Sequence, residues 1–321
     1  MEETYRPNSP TALDAIGNTP IVQLHKIVPQ GAADIFVKLE YFNPTGSYKD
    51  RMAFAMIDEA EKRGALRPGM TVVEYTGGST GSSLAFVCAV KGYHFKVVSS
   101  DAFAREKLQT MKAFGADLFI IPSESGKTTP DLIPKMMEKA ESLAESEDYY
   151  FTNQIHNADI ITGYRNIGRE LVRQIDRRID AFCGSVGTAG MLMGVAQELR
   201  TANPEVKIVA LEPASTAVIS GGSPGDHDVE GIGIGFTPPL LNRDLYDEAR
   251  GIEEREARRT ARLLASEEGV FAGTSTGLNV VGALQLAQEL GAGKTVVTAA
   301  VDTGLKYLAG DLYPVSLEPE P

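Results

Sequence analysis

Lys49 is the residue with the most chemistry to offer. It lies in Asn43-Pro44-Thr45-Gly46-Ser47-Tyr48-Lys49-Asp50-Arg51, where Pro44 and Gly46 break any regular element and Ser47 can cap. From Arg51 to Arg63 the apolar residues Met52, Phe54, Ala55, Ile57 and Ala60 recur at helical spacing, so Lys49 stands near a helix N-terminus. The positive end of a helix dipole disfavours a cation and favours a neutral amine, which is a nucleophile. A lysine is ordinarily a solvated surface residue. Partners elsewhere in the chain must decide between the two readings.

Three glycine-rich loops follow apolar strands, each with small hydroxyl residues. Thr76-Gly77-Gly78-Ser79-Thr80-Gly81 suits an anion held by backbone N–H groups, or equally a tight strand-to-helix turn. Gly184-Ser185-Val186-Gly187-Thr188 allows close approach of the backbone and adds two hydroxyls, which suits a phosphate monoester. In Gly273-Thr274-Ser275-Thr276-Gly277, helix capping alone would account for Ser275 or Thr276.

Other chemistries lack parts. Gly184, Gly187 and Gly190 do not supply the G-x-G opening of a dinucleotide loop. Gly293-Lys294-Thr295 and Gly126-Lys127-Thr128 have Gln288 and Ile121 where a P-loop needs its first glycine. The histidines, His25, His94, His156 and His227, form no H-E-x-x-H pattern, and no G-x-S-x-G elbow occurs, so zinc and serine hydrolysis are not supported and no metal is expected. A reactive lysine, a phosphate cradle and a neutral hydroxyl loop together suggest a phosphorylated aldehyde held as a Schiff base, namely pyridoxal phosphate.

The elements that must position these loops alternate strand and helix. Ile35–Glu40 reads as a strand leading into the lysine stretch. Then come Thr71–Tyr75 and Ser82–Lys91, Phe95–Ser99 and Phe103–Phe114, Leu118–Ile121 and Pro130–Ala144. After the polar run Glu141–Asp148, taken as a crossing between lobes, the pattern resumes with Asp180–Cys183, Ala189–Arg200 and Ile208–Leu211. A Gly/Pro-rich stretch follows from Ser220 to Pro239, then Glu254–Glu267, Leu278–Leu290 and Thr295–Ala300. Such alternation implies parallel sheets covered by helices, here an α/β protein of two lobes with a small-molecule cleft between them.

Composition agrees. With 321 residues, 43% hydrophobic and 23% charged, the chain can bury a large core. The 43 acidic against 31 basic residues give a net charge of -12 with no basic cluster, which argues against nucleic acid. Met1-Glu2-Glu3-Thr4 has no leader-like pattern and no apolar run spans a bilayer, so a cytoplasmic location without membrane contact is expected. Cys88 and Cys183 lie in apolar segments and read as buried thiols. The tail Glu318–Pro321 is too short to carry weight.

At this point the residues resemble the cysteine synthase and cystathionine β-synthase family of fold-type-II pyridoxal phosphate enzymes, from Leu13 to Tyr313. Asn43 to Arg51 matches the N-P-[TS]-G-S-x-K-D-R motif, and Gly184 to Thr188 stands where the family has its G-T-G-G-T cradle, with Ser185 and Val186 in place of Thr and Gly. Gly231-Ile232-Gly233-Ile234-Gly235-Phe236 is similar to the G-I-G-A-G-F loop, and Val301 to Leu308 to the closing motif. Thr76 to Thr80 aligns with T-S-G-N-T, Ser79 replacing the asparagine that meets the cofactor's phenolic oxygen. Ile155–Asp159 and Ile161–Tyr164 also depart from the synthase pattern.

The resemblance implies two three-layer lobes like those of tryptophan synthase β, with mostly parallel sheets and the active site in the cleft. Residues 1–45 and 148–321 would form the larger, cofactor-binding lobe, and 46–147 a smaller, mobile lobe with the substrate loop. It makes Lys49 the Schiff-base lysine and catalytic base. Ser79, Gly184, Ser185, Val186, Gly187, Thr188, Gly231 and Ser275 would bind the cofactor, Ser275 at the pyridine nitrogen. Thr76, Gly77, Gly78, Ser79, Thr80 and Gln154 would bind the substrate carboxylate. The implied reaction is β-replacement on O-acetyl-L-serine or a similar activated serine, through an aminoacrylate, with sulfide giving L-cysteine in a homodimeric biosynthetic enzyme. The neutral Ser275 suits prompt β-elimination over transamination. Serine or threonine dehydratase chemistry, O-phosphoserine- or cystathionine-type synthesis and a non-catalytic binding role are the alternatives.

Overall fold

The computed structural model describes residues 9–124, 126 and 131–314. The expected helix start at Pro130, the N-terminal Met1–Thr4 and the tail Glu318–Pro321 lie outside them. The strands are β1 (Ile21–Gln23), β2 (Asp34–Leu39), β3 (Thr71–Tyr75), β4 (His94–Ser100), β5 (Asp117–Ile121), β6 (Tyr149–Phe151), β7 (Ala181–Ser185), β8 (Lys207–Pro213), β9 (Glu248–Ile252) and β10 (Thr295–Ala300). The helices are α1 (Lys49–Lys62), α2 (Ser79–Lys91), α3 (Arg105–Ala113), α4 (Leu132–Ala144), α5 (Asp159–Gln174), α6 (Gly190–Ala202), α7 (Glu254–Glu268) and α8 (Thr274–Leu290). β1, α5, β6 and β9 are additional to the elements expected from the sequence pattern.

Two sheets result, one of order β1-β2-β10-β7-β8-β9 and one of order β5-β4-β3-β6. Every pairing is parallel except β1 with β2. Alternation along the strands sends successive side chains to opposite faces. Phe182, Ile208, Ala210 and Val297 join the core that includes Ile160, Leu192 and other residues of α5 and α6. Their neighbours Cys183, Val209, Leu211 and Val296 join the core of α7 and α8.

The small sheet is built the same way. Val72 and Val97 face α1 and α2, in the same apolar cluster that covers one face of the large sheet. Val73 and Val98 face Leu132, Met136 and Ala140 of α4. One core therefore runs from lobe to lobe, and only the α4 side belongs to the small sheet alone. β6 pairs with β3, so the chain leaves the small sheet after Phe151. The crossing expected at 147/148 thus moves a few residues on, because Glu141–Asp148 is the end of α4 and the turn into a strand.

Helix starts differ from expectation in a way that matters. α2 begins at Ser79 rather than Ser82, and α8 at Thr274 rather than Leu278. The small polar residues of both loops thus form first helical turns, where backbone N–H groups lack partners within the helix.

Candidate active site

The three glycine loops leave the carboxyl ends of parallel strands or enter helices beside them. That end of an open α/β sheet is where ligands bind. Lys49 opens α1, and its N–H donates to Ser47 Oγ at 3.2 Å, so Ser47 does satisfy a helix-terminal donor. The side chain is buried, with its Nζ 4.9 Å from the centre of the Tyr48 ring. Burial lowers the amine to about 8, against the opposing pull of the Asp302 carboxylate. A lysine on the surface would not respond in this way.

The rest of the lysine motif fixes that position. Asp50 accepts hydrogen bonds from Thr45 N–H at 2.7 Å and Thr45 Oγ1 at 2.6 Å. Arg51 is buried and spreads its guanidinium over two carboxylates, meeting Glu40 at 2.7 and 2.8 Å and Glu170 at 2.7 and 2.8 Å. Lys38 completes the group at 2.6 Å from Glu170. Two cations against two carboxylates make this network neutral, which is how such charges are tolerated in a core. It anchors α1, which Lys49 opens, to β2 and α5.

Segment 301–304 clamps the lysine loop to α8. Tyr48 N–H donates to Val301 O at 3.0 Å, Thr303 N–H to Gly46 O at 3.0 Å, and Gly273 N–H to Asp302 O at 3.1 Å. Gly46 has φ +72°, and a Cβ there would meet Thr303 Cγ2 at 2.7 Å, so glycine is required on both counts. Thr276 Oγ1 accepts from Val301 N–H at 3.0 Å, which places buried Ser275 in the turn beside Asp302.

Asp302, Lys306 and Tyr307 are functional candidates that the sequence assigned no role. Tyr307 OH lies 3.2 and 3.0 Å from the two Asp302 carboxylate oxygens. Their signal was present, since they lie in the Val301–Leu308 motif, but nothing in it told which side chains turn inward.

The Gly184–Thr188 loop connects β7 to α6. Ser185 N–H donates to Asn279 Oδ1 at 2.7 Å, and Asn279 Nδ2 to Ala299 O at 2.8 Å, so the cradle hangs from α8 and β10. Ser185 Oγ is buried and has no hydrogen-bond partner among the described residues. An orphaned buried hydroxyl costs stability unless a ligand uses it. A Cβ on Gly187 would lie 2.4 Å from Gly231 O, and Gly233 N–H donates to Val186 O at 3.1 Å. Gly231 is thereby placed against the cradle.

The Thr76–Thr80 loop is organised by a residue the sequence did not single out. Glu74 is fully buried, accepting from Tyr75 N–H at 2.9 Å, Thr152 Oγ1 at 2.7 Å and Gln154 N–H at 2.9 Å. Desolvation raises its carboxyl to about 7, despite those bonds. Gln154 in turn accepts from Thr80 Oγ1 at 2.8 Å, and Thr76 Oγ1 from Gly78 N–H at 3.2 Å. Thr76, Gly78, Thr80 and Gln154 are thus brought together. The one sequence clue to Glu74 is a carboxylate inside the apolar run Thr71–Tyr75. Ser79 lies apart from this set, accepting from Lys306 Nζ at 3.1 Å.

Both cysteines are buried, and burial pushes the Cys183 thiol up to about 12, so neither offers a thiolate. Among the described residues no cluster could hold a metal ion. A cavity of about 600 Å³ lies behind α1, lined by Leu13, Phe54, Asn166 and Arg169 among others, and includes none of the three loops.

Comparisons with known proteins give the family. The family model described as pyridoxal-phosphate dependent enzyme matches residues 12–302. A cysteine synthase of Staphylococcus aureus is 42% identical over 300 residues, covering 93% of this chain and 95% of the relative. A probable cysteine synthase of Bacillus subtilis is 39% identical over 304 residues, covering 94% and 96%. Among solved structures, O-ureido-L-serine synthase superposes with a TM-score of 0.89 at 36% identity over 98% of each chain. The cysteine synthase of Entamoeba histolytica superposes with 0.89 at 33% identity over 99% and 96%. Over nearly its whole length, the chain belongs to the pyridoxal-phosphate dependent enzymes and, among them, to the cysteine synthase family.

Proposed function

We propose that the protein makes L-cysteine by β-replacement, exchanging the acetoxy group of O-acetyl-L-serine for sulfide and releasing acetate. The single observation that carries the reading is Lys49, a buried amine lowered to about 8 at the head of α1. The residues fit pyridoxal phosphate: the orphaned Ser185 Oγ and the backbone of Gly184–Thr188 suit its phosphate, with Gly231 closing the cradle. Ser275 at the first turn of α8 suits its ring nitrogen, and Ser79 its polar ring edge. When bound, the cofactor supplies an electron sink for charge developing at the substrate Cα.

Lys49 would hold the cofactor through its amine, and the same amine, once free, would remove the substrate Cα proton, a task suited to a base with a pKa near the working pH. Thr76, Gly77, Gly78 and Thr80 bind the substrate carboxylate at the N-terminus of α2, with Gln154 held by Glu74 beside them. A hydroxyl at Ser275, unlike a carboxylate, would not hold the ring nitrogen protonated, which suits prompt loss of the β-substituent. A smaller mobile lobe, a homodimer and a cytoplasmic location complete the reading. Among the described residues no helix is long and apolar enough to cross a membrane.

The test is to feed the purified holoenzyme O-acetyl-L-serine with and without sulfide, measuring cysteine and keto acid. Cysteine that requires sulfide supports the reading. Keto acid formed at the same rate in both mixtures overturns it in favour of a dehydratase.

A further inference from the structure

The loop that carries Gly231 has little stiffness of its own. Gly231, Gly233 and Gly235 have φ of +79°, +62° and +80°, and glycines lose more freedom on ordering than other residues. The root of the loop is anchored in ordinary ways. Val229 and Ile232 sink into the core of α7 and α8, and Asp228 N–H donates to Glu254 at 3.0 Å. Gly233, which meets the cradle, is held by a side chain instead.

That side chain is His227, which bonds on both edges of its ring. Nδ1 accepts from Val229 N–H at 3.2 Å, which leaves the ring proton on Nε2, and Nε2 donates it to Gly233 O at 2.9 Å. Gly233 in turn donates its N–H to Val186 O of the cradle at 3.1 Å. One residue is thus gripped from two sides, by the imidazole through its C=O and by the cradle through its N–H. The fit leaves no slack, since a Cβ on Gly233 would lie 2.6 Å from His227 Nε2 and 2.9 Å from Thr216 Cγ2. Two residues earlier, Gly231 O stands 2.4 Å from where a Cβ on Gly187 would lie, so a shift of this loop is a shift of the cradle's wall. His227 is half-buried and residues 220–226 ahead of it are exposed, so the ring sits where the exposed stretch turns back into the fold.

We propose that His227 is a positioning residue for the cofactor. In its Nε2–H form it sets the spacing between the Gly231–Gly235 loop and the Gly184–Thr188 cradle, and so tightens the site for a phosphate monoester. It acts through Gly233 and Val186. Without the Nε2 donor, Gly233 O is left to water and the glycines regain their freedom, which loosens the hold on the phosphate and leaves the hold on the cofactor ring in place. The inference rests on the cradle reading of Gly184–Thr188 and does not depend on which β-replacement the protein performs.

The experiment strips the cofactor from full-length wild type, His227→Asn and His227→Gln, and titrates each with pyridoxal phosphate and with pyridoxal, following the visible absorption of the bound ligand. Asparagine reproduces the acceptor for Val229 N–H, whereas glutamine can return a donor toward Gly233 O. The expected result is that His227→Asn weakens pyridoxal phosphate by about tenfold, the worth of one hydrogen bond, and pyridoxal by less than about twofold. His227→Gln should stay within about threefold of wild type for both ligands. A merely structural loss would lower both affinities alike. Equal losses on the two ligands, no loss in His227→Asn, or the same loss in His227→Gln would overturn the proposal. If wild type holds pyridoxal as tightly as its phosphate ester, the cradle falls and this inference with it, while the role of Lys49 stands. Thermal melts show whether the variants fold. If neither does, nitrogen NMR of the wild-type imidazole decides, a proton on Nε2 alone supporting the proposal and a proton on Nδ1 overturning it.

Discussion

The Thr76–Thr80 loop, proposed to take the substrate, and the Gly184–Thr188 loop, proposed to cradle the cofactor's phosphate, carry nearly the same local signal, glycines and hydroxyls between a strand and a helix, yet they are held by different physics. The cradle is fixed by close packing, with Gly187 against Gly231 O and Ser185 N–H on Asn279. The substrate loop is held by one buried carboxyl, Glu74, which reaches Gln154 and through it Thr80. Packing has no pH dependence, whereas a carboxyl raised to about 7 does. A permanent cofactor calls for the first kind of support, and a substrate that comes and goes tolerates the second.

The largest effect should ignore the difference between the loops. Lys49→Ala is expected to lower turnover by about 10³-fold or more and to remove the covalent cofactor linkage, since the base and nucleophile go together. Single-turnover kinetics and the protein's visible spectrum check it, and retained turnover would refute the role given to Lys49.

The next effects should separate the loops. Gly187→Ala must push the backbone away from Gly231 O, costing about 1–3 kcal/mol of stability and weakening cofactor binding, as measured by melts and by cofactor titration. If cofactor affinity is unaltered, the cradle is misplaced. Glu74→Gln should instead act on substrate, because the amide has one acceptor oxygen where the carboxylate has two. We expect kcat/KM to fall by about tenfold, with the cofactor dissociation constant nearly constant.

Glu74 also predicts a pH effect. Its folded pKa is raised from 4.5 to about 7, so between those values the folded state binds more protons than the unfolded one. Stability from this group therefore falls as pH rises from about 4.5 through about 7 and is level above, a change on the order of 3 kcal/mol. Thermal unfolding across that window should lose this component in Glu74→Gln, and an identical slope in both proteins would contradict the assignment.

The smallest effect should be that of Ser185→Ala. Removing an orphaned hydroxyl leaves the apoprotein melting temperature within about a degree or raises it, while cofactor affinity drops by about tenfold, the cost of one hydrogen bond to a charged group. A destabilised apoprotein with unchanged affinity would make Ser185 a structural residue.

Much of this was legible in advance, for identifiable reasons. β10 at Thr295–Ala300 and the helix from Glu254 could be read because buried parallel strands and amphipathic helices leave strong apolar patterns. The first turns of α2 and α8 were missed because Ser, Thr and Gly carry no hydrophobic period. β6, three residues long, is too short for a period to show.

By itself the sequence determined what is local or contiguous: the alternating α/β order, the break before Lys49, the glycine loops and the neutral Ser275. Only the tertiary structure decided what depends on residues distant along the chain. It paired Glu74 with Gln154, set Asp302 against Lys49, and brought Lys306 across to Ser79, 227 positions away. The physical reason is that charge and desolvation act through space. A lysine's letter is the same whether it is solvated, buried as a base of lowered pKa like Lys49, or buried like Lys306 with no ion pair among the described residues, and burial beside particular neighbours is what distinguishes them.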